Sequence, residues 1–287
     1  MDITQLNSWK QDAADLKREE EKRWYSPSSF FFSQGKAIIL AASYFHDQRL
    51  INRARGGVAR KHRHRSYLAL FGQLMASLEY LLKDFVAQVI DLTDIYDDRV
   101  KRAKWISVEV AQILTTRRTM YAWPGAVLFH SSLGWHEPRS VNARYTELFE
   151  YQPIDSAEVT ELEQLWILRH SVAHNAGFVT TADAVRGGMA QLSNRVVDID
   201  ETFLNDTFAF LCVIARRVAE GVGGRVLLTY LQSKRDAGSD YARDKWSYSN
   251  LKRLSFYVPS RAAKLPTVAK RDYTADFAAA NPPNAIV

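Results

Sequence analysis

The stretch Trp166 to Phe178, WILRHSVAHNAGF, sets Arg169, His170 and His174 close together in an otherwise apolar segment. An arginine is a permanent cation that grips a phosphate in a bidentate way. A histidine, with an unperturbed pKa of about 6.5, takes up and releases protons near neutrality. Together these are the tools for driving a ribose 2′-OH onto the adjacent phosphate, with no metal, thiol or acidic pair required. Two other readings stand beside this one. His170 and His174 have the i, i+4 spacing of a metal pair, but a zincin needs a glutamate after the first histidine, where this chain has Ser171, and no third ligand is evident. The plainest reading is a solvated helix side that happens to be basic, with Arg169 paired to Glu163 or Glu161.

The element that must position these residues is a helix. With Arg169 at the origin and steps of about 100° per residue, Leu162, Leu165, Leu168, Val172 and Ala176 fall in an arc of about 120° centred near 320°. His170 then lies near 100° and His174 near 140°, while Arg169 sits on the flank of the apolar stripe. The helix buries one side and presents a titratable band on the other. Asp155 or Ser156 caps its start, supported by Glu158. It runs to about Ala176, where Gly177 ends it.

Around it the chain reads as mostly helical. A first helix covers about 3–23 and ends in the solvated run KREEEKR. SPSS at 26–29 is a breaker, and a second helix spans about 35–53. The strongest periodicity follows at 66–92, where Phe71, Leu74, Met75, Leu78, Leu81, Leu82, Phe85 and Val89 share one face. Glu79 lies at the edge of that face and is expected to pair with Lys83 one turn on. Residues 94–150 read as an insertion, helical through KRAKWISVEVAQILTTRR and irregular through AWPGAVLFHSSLGWHEPRS. His130 and His136 fall there at a spacing that suits no metal motif. GFVTTADAVRGGMAQLSNRVVDID predicts a small hairpin. Asp200 caps a deeply buried helix at about 201–221. The text is then basic and aromatic to Pro259 and lacks helical periodicity beyond it. The expected organisation is 1–65 as N-terminal helices and a basic loop, 66–222 as a bundle with its insertion, and 223–287 as an extension and tail.

Composition narrows the function classes. No apolar run approaches the roughly 20 residues of a membrane span, and the N-terminus has no basic region followed by an apolar one, so the expected setting is the cytoplasm. The single Cys212, in an apolar run, excludes an intrachain disulfide framework. The net charge of +6 is modest, but much of it is local. RARGGVARKHRHR packs Arg53, Arg55, Arg60, Lys61, Arg63 and Arg65 around two glycines, a segment suited to RNA phosphates or simply a solvated loop.

Arg169-His170-Ser171-Val172-Ala173-His174 resembles the R-x4-6-H signature of HEPN domains. The following NAGFVTTAD, and NRVVDIDETF leading into a buried helix, also resemble prokaryotic members, in which a small β-element separates the motif helix from the last helix of the bundle. The resemblance covers about 66–221. It implies an all-α bundle, a homodimer with two motif helices facing across one cleft, and metal-independent endoribonuclease activity of the toxin or anti-phage defence kind. Carried over, Arg169 binds the scissile phosphate, His174 is general base or acid, and His170 orients the phosphate or His174. Asn175 supports the site, with Ser171 and Glu79 nearby. The implied partners are RNA and an antitoxin or activator protein, with no cofactor, metal or membrane. Some members are non-catalytic modules that bind protein or nucleotide, which is the alternative reading.

Overall fold

A computed structural model describes residues 26–51, 56–106, 124–129, 131–236 and 245–255. The predicted first helix, Arg53, Arg55, most of the helix expected at 101–118, His130 and the tail from Pro259 lie outside the described residues, as do the side chains of Arg60 and Lys61.

The chain is predominantly helical. In order come α1 (Pro27–Ile51), α2 (Gly56–Leu92), α3 (Asp97–Arg102), α4 (Pro124–Phe129), α5 (Pro138–Phe149) and α6 (Ser156–Asn175). Strand β1 (Phe178–Val179), α7 (Thr181–Arg186) and β2 (Arg195–Val196) follow. A last long run is made of α8 (Glu201–Arg216), a π-helical segment (Arg217–Gly223) and α9 (Gly224–Asp236), and α10 (Lys245–Leu254) closes the described chain. One contiguous cluster of buried side chains extends from Phe31 on α1 to Leu254 on α10.

The long helix α2 is the axis of the packing. All eight residues of its predicted apolar face are buried. Tyr145 of α5 donates its hydroxyl to the Leu82 carbonyl at 2.8 Å, and Phe85 packs against both Tyr145 and Phe149. Two contacts set α6 antiparallel to α2. Leu68 meets Gly177 at the C-terminal end of α6, where a Cβ would lie 3.1 Å from Leu68 Cδ1. Eleven residues further along α2, Glu79 lies 3.8 Å from His136, whose ring is 6.1 Å from that of Trp166 on α6.

Several boundaries differ from the sequence reading, each for a physical reason. The second helix starts inside SPSS and not at about 35: Pro27 is the first residue of α1, where the missing N–H costs nothing, and Phe31 and Phe32 behind it are buried. The basic segment is not a loop from Gly56 onward. It is the start of α2, with its two glycines confined to the first turn and the good helix formers Ala59, Arg60 and Lys61 after them. The 94–150 stretch is less of an appendage than expected, because Trp135, Tyr145, Leu148 and Phe149 are all part of the core.

The helix from Asp200 does not stop at Gly221. It widens into the π-helical segment and continues as α9. Gly221 is there for clearance: a Cβ would lie 2.4 Å from the Tyr151 hydroxyl. The expected hairpin is a two-stranded antiparallel ribbon that pairs Phe178 with Val196 and Val179 with Arg195. Its connection carries α7 and a short 3-10 turn rather than a tight loop. No helix among the described residues is long and apolar enough to cross a membrane.

Candidate functional site

Helix α6 is fastened at its start. Asp155 and Glu158 form the predicted capping box, with the Glu158 carboxylate accepting the Asp155 N–H at 3.0 Å. Arg217, on the first π-helical turn, reaches across to both acids. It bonds to Glu158 and lies 2.7 Å from Asp155 Oδ2. The hydrogen bond to Glu158 raises the Arg217 guanidinium above its usual pKa, against the opposing effect of burial.

The helix ends differently. Ala176 turns left-handed (φ 52°), and its N–H and that of Gly177 both bond to the Ser171 carbonyl. Gly177 follows with φ 88°, a conformation only glycine adopts without strain. The ribbon starts there, anchored by Val197 N–H to the Gly177 carbonyl (2.9 Å) and Asn194 N–H to the Val179 carbonyl (2.9 Å).

Between these ends α6 is buried on two sides. Of the expected stripe Leu162, Leu165 and Leu168 are buried, Val172 is half-buried, and Ala176, past the last turn, is exposed. Ile167 and Ser171, on the other side, are covered as well: a Cβ at Gly187, beyond α7, would lie 3.1 Å from Ile167 Cδ1, and Gln164 donates to the Gly187 carbonyl. The open band is therefore narrower than the helical wheel suggests. Arg169 is half-buried on its flank, and His170, Ala173, His174 and Asn175 are exposed. The His170 and His174 rings stand 4.6 Å apart, tilted by 44°. Ser171 is fully buried and its hydroxyl has no hydrogen-bond partner, so it cannot touch a molecule bound at the histidines.

Arg169 does not make the ion pair of the plainest reading. Glu163 is taken by Arg139 at 2.8 Å, and Glu161 is an exposed residue with no such contact. Among the described residues the side chains of Arg63, Arg65, Arg169 and Arg195 have no hydrogen-bond or ion-pair partner. Arg99, Arg139, Arg186, Arg216, Arg217, Arg225 and Arg235 each face a carboxylate. This difference is not visible in the sequence, where Arg195 looks like any residue of a β-prone run.

The remaining candidates separate. The expected Glu79–Lys83 pair is a charge interaction across one turn and not a direct contact: burial lowers the Lys83 pKa and Glu79 raises it by less, but Glu79 accepts the Trp135 N–H at 3.2 Å and lies beside His136, while Lys83 donates to the Ser131 carbonyl at 2.9 Å. Glu79 thus holds the 131–137 segment against α2, near Trp166 and away from His174. The basic turn of α2 comes to the other end of α6. His64 lies 3.5 Å from Asp198, just past β2. At about 100° per residue, Arg65 is only 60° around α2 from Leu68, which touches Gly177, whereas Arg63 is 140° away. His64, which meets Asp198, lies about 40° to the other side of Leu68 and about 100° from both Arg63 and Arg65, so the two arginines flank the helix side that meets the ribbon end.

His170 and His174 are the only donors this band offers to a metal. Among the described residues no group of three or more His, Cys, Asp or Glu side chains is placed to hold one. Burial pushes the Cys212 thiol far up from its ordinary range, away from nucleophilic use. Compared with protein-family models, curated proteins and solved structures, the chain finds no match in any of the three.

Proposed function

We propose that this chain is a HEPN-type endoribonuclease that cuts RNA without a metal, acts as a dimer and serves a toxin or anti-phage defence system. The observation that carries this reading is the half-buried, unpaired Arg169 on the same helix as two exposed, adjacent imidazoles. A guanidinium held without a carboxylate keeps its affinity for an anion, and the histidines beside it are open to solvent.

In the proposed reaction His174 takes the proton from a ribose 2′-OH. The 2′-oxygen bonds to the adjacent phosphorus, the P–O5′ bond breaks, and the 5′-oxygen receives a proton from His170 or from an imidazole of a second copy. Arg169 neutralises the extra charge on the phosphate oxygens while five oxygens surround phosphorus. The products are a 2′,3′-cyclic phosphate and a 5′-OH. Ser171 has no part in this, because it is buried. Asn175, exposed on the next turn, can hydrogen-bond the ribose or phosphate.

The test is incubation of the purified chain with labelled RNA in EDTA, beside Arg169→Ala and His174→Ala. Cutting by the parent with cyclic-phosphate ends, lost in both variants while circular dichroism stays unchanged, supports the reading. Absence of cutting by the parent, or cutting that survives His174→Ala, refutes it and leaves the non-catalytic binding module.

A further inference from the structure

The ribbon after α6 carries a feature that the cleavage chemistry does not use. Its inner face is apolar and covered, with Val179 and Val197 buried. Its outer face is apolar and open: Phe178 is 40% exposed, and its cross-strand partner Val196 is 55% exposed. An aromatic face left in water beside a β-branched neighbour is an unused stacking surface. The backbone under it is fixed by the hydrogen bonds at Gly177 and Val179, so the surface is preformed. The cations around it are unused too. Arg195, exposed, precedes Val196 but pairs with Val179, so alternation starts its long side chain on the opposite face, at the edge of the ribbon; Arg65, exposed, lies one turn from Leu68 on α2, and neither has a polar partner among the described residues.

We propose that this ribbon is a platform for single-stranded RNA, on which an unpaired base stacks over Phe178 against Val196 while Arg65 and Arg195 hold the flanking phosphates. The direction of the strand towards Arg169 and His174 rests on the ribonuclease reading; the binding itself does not. Phe178 is four residues beyond His174, so at most about 14 Å of chain separates them. A strand stacked on the ribbon therefore continues onto the band of α6.

Two arguments select an unpaired RNA strand as the occupant. The open apolar surface is essentially one aromatic ring and one valine. That is the size of a base, and far below the roughly 800 Å² that each partner of a stable protein interface buries. Stacking between a base and an aromatic ring is also blocked in a duplex, where the bases are paired and stacked on one another, but is available in loops and single strands. Unpaired arginines beside an aromatic ring match the combination that single-strand binders use.

The experiment measures equilibrium binding of the full chain in the His174→Ala background, so that no cutting intervenes. The probes are a fluorescent unpaired oligoribonucleotide and the same strand annealed to its complement, at several salt concentrations. The single strand is expected to bind more tightly than the duplex. Phe178→Ala weakens single-strand binding by about five- to a hundredfold, as loss of one stacked base does. Phe178→Trp restores it and Phe178→Leu does not. Arg65→Ala and Arg195→Ala each flatten the slope of log affinity against log salt by about 0.7. Equal binding of duplex and single strand overturns the proposal, as does full affinity in Phe178→Leu. Loss of self-association in Phe178→Ala with RNA binding intact also overturns it, and identifies the ribbon as a protein contact. If the parent chain cuts no RNA but Phe178→Ala still loses the single strand, the ribonuclease reading fails and the platform stands. If the parent cuts and Phe178→Ala binds unchanged, the reverse holds.

Discussion

The two ends of helix α6 are built on opposite principles. At the start the capping acids have a counter-charge: Asp155 and Glu158 cap the backbone and share Arg217. At the end Arg169, Arg65 and Arg195 face no carboxylate, the two histidines stand in the open, and the exposed Asp198 meets only His64 at 3.5 Å. Paired charges cost little to keep and fix a helix in place. Unpaired cations near a helix C-terminus gain a modest stabilisation from the helix dipole and keep their charge open to an anion, which is what the proposed function asks of this end. The first end positions, and the second is left free to bind.

The largest effects that break this contrast are expected at the second end, in rate rather than stability. His174→Ala should lower the cleavage rate by about a hundredfold or more, the usual contribution of a general acid or base. Arg169→Ala should do the same, both with thermal melts close to the parent. At the first end the pattern should invert. Arg217→Ala leaves the half-buried Glu158 without its partner and should cost about 1–2 kcal/mol, read as a fall of several degrees in Tm, while the cleavage rate per folded molecule is unchanged. A loss of rate equal to that of His174→Ala would show that the two ends are not separable.

Gly177→Ala tests the junction itself. The left-handed backbone at φ 88° and the Leu68 side chain 3.1 Å from the added Cβ together predict a loss of about 1–2 kcal/mol in chemical denaturation. RNA binding should weaken as the ribbon shifts. The smallest effect is expected for Asp198→Ala. Its carboxylate is exposed and its contact with His64 is long, so the melt should not move. Removing a negative charge from the cationic end should tighten RNA binding, by no more than about fivefold. Weaker binding in this variant would mean that Asp198 orients His64 for the ligand instead of repelling it.

Much of the fold was legible because it depends on local periodicity. The apolar face of α2, the capping box at Asp155, the stop at Gly177 and the Asp200 cap, whose side chain accepts the Phe203 N–H at 2.8 Å, are all short-range patterns with a physical cause. The same local reading misjudged Gly221, whose role is set from far away: it makes room for Tyr151 within a continuous helix. Likewise the expected Glu79–Lys83 pair was a valid local option, but the 131–137 segment supplied both residues with backbone partners.

For the candidate site, the sequence by itself determined which side chains share α6 and at what angles, since helix geometry converts spacing into direction. It therefore placed His170 and His174 on an open band. Only the tertiary structure decided which charges are spent. Glu163 goes to Arg139, Ser171 goes inside, His64 meets Asp198 just past the ribbon, and Arg169 is left without an acid. Whether a charge has a partner depends on residues that packing brings close from distant parts of the chain, and no spacing along one helix carries that information.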